Sequence, residues 1–172
     1  PAFVAGVGLA LFSYSPAFFL GSSQMKSDQS IAPQTAQTPL CNAHNSLGAR
    51  IVPFAGWDMP VQYSSIREEH VSVRTRAGLF DVCHMGEFKF TGSAARDALQ
   101  YLSTNDLDAL EVGRCHYSFL LNDSGGTIDD TMVYRISENE YLAVVNASNT
   151  AKDWKHVSRV SETFPGAQIS DC

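Results

Sequence analysis

From Leu40 onward the apolar positions alternate between the spacing of helices and that of strands. Ser65 followed three residues later by Glu68 has the form of a capping box, which predicts a helix over 66–76 ended by Gly78. The runs 79–83 and 87–92 read as strands, the second with clear alternation, and Ser93 is placed to cap a helix through Ala98, Leu99 and Leu102. Two apolar-rich runs between His116 and Ile136 flank Asp123-Ser124-Gly125-Gly126, residues that tolerate positive φ, so this stretch reads as a β-hairpin. A turn over 137–140 leads to a strand over 141–146. Asn149 then starts a helix with Ala151, Trp154, Val157 and Val160 on one face. Helices separating antiparallel strands place the chain in the α+β class, a mostly antiparallel sheet with flanking helices.

The chain before this pattern is different in kind. The first 25 residues carry no charge, and 14 of the first 20 are apolar. Pro16, two glycines and the absence of a basic flank argue against a membrane span or a signal peptide. We therefore expect residues 1–24 to lie upstream of the true start, with Met25 as a natural initiator and a genuine hydrophobic anchor as the alternative. Residues 25–37, rich in Ser, Gln, Thr and Ala, read as a flexible polar arm. The folded domain is expected over 38–172.

Composition narrows the function. With 12 Lys+Arg against 18 Asp+Glu the formal charge is −6, and no basic cluster is available to release counterions from a phosphate backbone, so nucleic acid is not an expected partner. Cys41, Cys83, Cys115 and Cys172 are scattered with no CxxC pair, and reduced thiols are expected. The dipeptides Cys83-His84 and Cys115-His116 send their side chains to opposite sides if they lie on strands, so no metal site is expected. The 54–60 stretch, Phe-Ala-Gly-Trp-Asp-Met-Pro, reads as a packed structural corner. His70 and His156 fall on helices as surface or boundary residues. No dinucleotide fingerprint, P-loop, nucleophile elbow or nucleophilic triad is present.

One acidic pair stands out. Asp129 and Asp130 follow the Gly-Gly turn and enter a strand, where adjacent side chains take opposite faces, so they are not a shared-proton pair. Counting by twos, Asp130 shares a face with Met132 and Tyr134, and is expected to belong to the interior set as a partly desolvated acid suited to stabilising a cation. Tyr117 lies across the hairpin, and Val144 and Asn146 share one face of the next strand. Together they offer an apolar wall, a hydroxyl and an amide, fit for a planar heterocycle with hydrogen-bonding edges. The same residues are equally what the core and rim of any sheet contain.

The segments TPL (38–40), GARIVPFAGWDMPVQY (48–63), RTRAGLFDVCHMGE (74–87) and SGGTIDDTMVY (124–134) closely resemble, in order and spacing, the amino-terminal part of the aminomethyltransferase family, the T-proteins of the glycine cleavage system. The resemblance runs from about Thr38 to about Phe164. It implies an enzyme that moves the aminomethyl carbon from the lipoyl arm of the H-protein to tetrahydrofolate, giving 5,10-methylenetetrahydrofolate and ammonia. It places Asp130 at the catalytic position, as a fixed carboxylate that stabilises cationic character as the C–S bond breaks. The folate contacts it implies are Met85, Tyr117, Tyr134, Val144 and Asn146. Tetrahydrofolate is then the co-substrate and lipoylated H-protein the partner. No metal and no membrane are expected, and because the first 37 residues hold one Lys and no Arg, unlike an Arg-rich mitochondrial presequence, the expected compartment is the bacterial cytoplasm, with the mitochondrial matrix as the alternative. The family usually has Ser where Cys83 stands, and its folate-binding core continues beyond the point reached by Cys172, so activity of this stretch alone is left open. Two other readings remain: the folate-binding domain of a dimethylglycine or sarcosine dehydrogenase, or a non-catalytic folate-binding protein of iron–sulfur maturation.

Overall fold

The computed structural model describes residues 35–172. The expectations for residues 1–24, and for all but the end of the polar arm, lie outside that span. Ala36–Gln37 (β1), at the end of that arm, runs parallel to Trp57–Gln62, and the Asp58 carboxylate accepts from the Thr35 hydroxyl and the Gln37 amide. A short helix, Cys41–Ser46 (α1), precedes Arg50–Phe54 (β2), which pairs antiparallel with Trp57–Gln62 (β3) to give the sheet order β1-β3-β2. The 54–60 stretch expected as a corner is therefore a hairpin. Phe54 pairs with Trp57 across Ala55 and Gly56, whose φ values of 51° and 83° suit a two-residue primed turn.

Helix Ile66–Thr75 (α2) begins as the capping box predicts, with Ser65 Oγ accepting from the Glu68 N–H at 3.2 Å. The returning carboxylate belongs to the next residue. Glu69 accepts from the backbone N–H groups of Tyr63 (2.7 Å) and Ser64 (2.8 Å). The strand expected over 79–83 does not form. Asp81 turns inward and its carboxylate accepts from the Cys83 N–H at 2.9 Å, a local bond that bends the chain away from an extended ladder and leaves Leu79, Phe80 and Val82 exposed.

Strand Gly86–Thr91 (β4) alternates as expected. Ser93 does not cap the following helix, Ala95–Leu102 (α3), whose N-cap is Ala94 and makes no side-chain bond. The turn is built instead on Gly92, at φ +100°, where a Cβ would collide with the Gly166 carbonyl oxygen. Strands Cys115–Leu121 (β5) and Thr127–Ser137 (β6) form the expected hairpin. Its loop is organised by Asn122, whose Oδ1 accepts from the N–H groups of Ser124 and Gly126. Glu140–Val145 (β7), helix Thr150–Ser161 (α4) and Gln168–Asp171 (β8) complete the domain.

The main sheet is antiparallel throughout, in the order β5-β6-β7-β4-β8. One face is covered. Phe88, Phe90, Val133, Tyr141, Ala143 and Val145 point from it into a core completed by Leu99 and Leu102 of α3 and Val157 and Val160 of α4. Strand alternation sends the intervening side chains to the opposite face, which no element of residues 35–172 covers in the same way. The α4 stripe differs from the expected one. Ala151 is exposed, and the buried positions are Asp153, Val157 and Val160, so a carboxyl occupies the place in the core-facing row that an apolar residue would normally take.

Candidate functional site

The site grows from the way β6 divides its two aspartates. Asp129 falls in register with the buried Thr131 and Val133, so it points into the helix-covered side and is 5% exposed. Asp130 falls in register with Met132 and Tyr134, as expected, but these are on the open face. The expectation that Asp130 belongs to the interior set is thus reversed: the hairpin register puts Asp129 inside and leaves Asp130 half-buried at the surface.

Three of the candidate residues meet directly. The Tyr117 hydroxyl donates to Asp130 Oδ2 at 2.8 Å, and the Asn146 side-chain amide donates to Asp130 Oδ1 at 2.9 Å. Tyr117 pairs with Met132, which pairs on its other side with Val144, so the apolar wall beside the carboxylate is Met132 and Val144. Phe119, opposite Asp130 in the ladder, packs edge-on against Tyr117 with ring centroids 5.1 Å apart. Tyr134 is on the same face but four residues further along β6, roughly 13 Å from Asp130 at about 3.3 Å per residue. Met85 precedes Gly86, which pairs with Val145, so it stands at the Asn146 end of the same surface.

Met85 also lines a cavity of about 260 Å³ with Trp57, His84 and Thr150, where His84 Nδ1 is buried without a protein partner.

Beneath Asp130 lies a second layer that sequence reasoning did not find. Asp129 Oδ1 accepts from the side-chain amides of Asn146 (3.0 Å) and Asn149 (2.8 Å), and its Oδ2 accepts from the Asn146 backbone N–H (3.2 Å). Asn149 is the N-cap of α4, yet its side chain makes no capping bond and is given to Asp129 instead. One amide, that of Asn146, therefore bridges the inner and outer carboxylates. Burial alone would raise the Asp129 pKa, but hydrogen bonds with Asp153, Asn146 and Asn149 outweigh it and hold the carboxyl below its ordinary value. The Tyr117 phenol is raised, chiefly because its hydroxyl bonds Asp130.

A further buried network holds the segment leading to Met85. His44, 6% exposed on α1, bonds Tyr63 Oη through Nδ1 at 2.7 Å and Asp81 Oδ2 through Nε2 at 2.8 Å, and the Thr38 hydroxyl donates to the same carboxylate at 2.7 Å. Burial would raise the Asp81 pKa, but the bonds from His44, Thr38 and the Cys83 backbone keep it well below its ordinary value. This fixes the chain over 81–83, two residues before Met85. The only sequence signal for it was polar residues where the pattern wanted an apolar strand. Among the described residues no group of three His, Cys, Asp or Glu side chains is arranged to hold a metal ion, and no helix is long and apolar enough to cross a membrane.

An antiparallel sheet with helices on one face, and on the other a carboxylate held by a phenol and an amide beside apolar side chains, defines an α+β domain. Comparison with known proteins makes the class specific. Residues 40–172 match the model of the GCVT N-terminal domain, and the chain belongs to that family. It is 53% identical over 134 residues to the aminomethyltransferase of Deinococcus deserti, covering 77% of this chain and 38% of the relative. To an aminomethyltransferase of Thermus thermophilus it is 52% identical over 128 residues, covering 74% and 37%. The crystal structure of glycine cleavage system aminomethyltransferase T from Bartonella henselae superposes with a TM-score of 0.75 at 34% identity, covering 79% of this chain and 38% of that one. The chain thus spans a little over a third of the length of these relatives.

Proposed function

We propose that this domain serves an aminomethyltransferase of the glycine cleavage system, binding tetrahydrofolate across the open face of the main sheet with Asp130 at the reacting end. The observation that carries the proposal is the fixed position of the Asp130 carboxylate, held from one side by Tyr117 and from the other by Asn146. An ionised carboxylate offers about four acceptor positions, so these two bonds orient it and leave others for a ligand. A carboxylate locked this way needs no reorganisation when positive charge develops beside it, the condition under which electrostatic stabilisation is strongest. Met132, Val144, Phe119 and Tyr117 supply the apolar surface on which a ring system lies, with Met85 and Tyr134 at the two ends.

In this reading Asp130 stabilises cationic character on the carbon–nitrogen unit being transferred, and Asn146 keeps the carboxylate aimed at it. The aminomethyl donor is the lipoyl arm of the H-protein, the product is 5,10-methylenetetrahydrofolate, and ammonia is released. The relatives named above are bacterial, and we assign the bacterial cytoplasm as the compartment.

The test is calorimetric titration with tetrahydrofolate together with turnover of aminomethylated H-protein. Asp130→Asn keeps the shape and the Tyr117 contact but removes the charge. Turnover should fall about 10²- to 10³-fold with folate affinity changed only a few-fold. Unchanged turnover removes Asp130 from the chemistry, and a loss of affinity equal to the loss of turnover makes it a ground-state binding residue.

A further inference from the structure

Asp153 is the most deeply buried carboxyl of the described residues, at 0% exposure on the core-facing side of α4. Neither of its oxygens receives a hydrogen bond from any N–H or O–H group. A carboxylate in that position would be an uncompensated buried charge, which folded proteins avoid by pairing it or by keeping its proton. Its position on the helix explains the placement: Asp153 follows Asn149 by one helical turn, its N–H bonding the Asn149 carbonyl, and the Asn149 side-chain amide donates to Asp129 Oδ1 at 2.8 Å, so the Asp153 carboxyl stands on the side of α4 that meets Asp129. Asp129 in turn takes three bonds from Asn146 and Asn149, and Asn146 passes the arrangement on to Asp130. The series runs without a gap from the helix-covered core, through the sheet, to the open face.

We propose that Asp153 is a positioning residue, which acts through Asp129 and Asn146 to fix the Asp130 carboxylate at the open face, so that the inner acid pair and the outer site behave as one hydrogen-bonded unit. The inference deepens the assignment of Asp130 to the tetrahydrofolate site and rests on it. Chemistry requires one proton between the two inner carboxyls. Carried by Asp153, it lets that residue donate to Asp129, whose remaining lone pairs then hold both asparagine amides. The charges bearing on Asp153 agree with this. Asp129 on β6, and to a smaller degree Asp130, oppose its ionisation; Lys152 on its own helix, its ammonium bonded to the Ile128 carbonyl at 2.6 Å, favours ionisation by less than burial and Asp129 oppose it. Burial first, and then Asp129, push the Asp153 pKa up to about 7.

The unit is consequently intact when Asp153 is protonated and strained when it is not. As pH rises through about 7, ionised Asp153 faces ionised Asp129. Asn146, which donates to both Asp129 and Asp130, must then readjust.

Two variants test the idea. Asp153→Asn retains a donor toward Asp129 without an ionisation, and Asp153→Ala removes the donor. In the native chain the side-chain amide signals of Asn146 and Asn149 in a proton–nitrogen spectrum should titrate with a midpoint near pH 7, and in Asp153→Asn that transition should be gone. Tetrahydrofolate affinity should weaken about five- to tenfold in Asp153→Ala at about pH 6, the effect of one lost hydrogen bond. In Asp153→Asn it should stay within about twofold and lose its dependence on pH between about 6 and 8. An Asn146 amide that does not respond near pH 7, or a response that persists in Asp153→Asn, overturns the proposal. So does the same folate pH profile in the native chain and Asp153→Asn. If tetrahydrofolate does not bind at all, it is the folate reading that fails, while the amide titration still decides whether Asp153 positions Asn146. If Asp153→Ala does not fold, the comparison of native chain with Asp153→Asn carries the decision alone.

Discussion

Replacing Asp153 by Asn should change how stability depends on pH more than any other single substitution in the main sheet and its helices. The unfolded chain releases the Asp153 proton near 3.8, whereas the folded protein keeps it until about 7. Between those values the native state binds the extra proton, so unfolding free energy falls as pH rises through the window and levels off above it. A separation of about three pH units corresponds to ~4 kcal/mol lost by neutral pH. Asp153→Asn has no proton to lose and escapes that decline. Near pH 4 it should differ from the native chain only by the exchange of a hydroxyl for an amide, and by about pH 8 it should be relatively more stable by up to ~4 kcal/mol. Asp129 does not compete, because its lowered pKa confines its own contribution to acid below about 4. His116 and His156, both lowered mainly by burial, bind fewer protons folded than unfolded and make stability rise with pH below about 6.5, the opposite sign. Both proteins share that term, so it cancels in the difference. Urea unfolding at about pH 5, 6, 7 and 8 reads the effect. With a slope of about 1–3 kcal/mol per molar urea for a protein of this size, the midpoints should diverge by at least about 1 M. Parallel curves across the range would refute the assignment of the buried proton to Asp153.

Two further substitutions test the frame around the site. Gly92→Ala forces a side chain against the Gly166 carbonyl at a φ of +100°, and should cost about 2–4 kcal/mol in urea unfolding while leaving folate affinity per folded molecule unchanged. Asp81→Asn removes the charge that orders His44, Thr38 and the 81–83 turn; we expect a loss of about 1–3 kcal/mol at neutral pH and faster amide exchange over 79–85. Because the native Asp81 carboxyl is held below its ordinary value, its contribution is present above about pH 4 and is lost in acid, so the gap between the two proteins should close as pH falls below that value.

The helices and strands with strong periodicity were legible in the sequence. The alternation of Glu87-Phe88-Lys89-Phe90 became β4, and the capping signal at Ser65 became the start of α2. What failed was decided by tertiary partners. Residues 79–83 have the composition of a strand but no ladder to join, and the bonds of Asp81 to His44 and Thr38, 37 and 43 residues away, hold them as a turn. The site was half legible. Counting by twos grouped Asp130 with Met132 and Tyr134 correctly, but parity does not say which face the helices cover. That depended on α3 and α4 docking on the side of Phe88, Val133 and Val145. Asp153 was missed because a helix face was chosen by apolar residues alone. Its spacing of four and seven from Val157 and Val160 placed it on the buried row all along.

The adjacency of Asp129 and Asp130 acquires its meaning from that parity. Two neighbouring residues on a strand cannot share a proton, since they look into different environments, and here the sheet separates two tasks. The inner carboxyl meets a low-dielectric core, where charge is tolerated only with several donors and a protonated neighbour. The outer one meets an open face, where it can accept a ligand. Asn146 reaches both because it follows β7 directly, beside the β6 step that exposes first one aspartate and then the other. A single-residue slip of β6 would put Asp130 among the core phenylalanines and present Thr131 to the open face. The register of this hairpin, set by the Asn122 loop at one end and the β7 ladder on the other side, is therefore what decides which acid meets the open face. The geometry of the site is inherited from strand pairing before any ligand is bound.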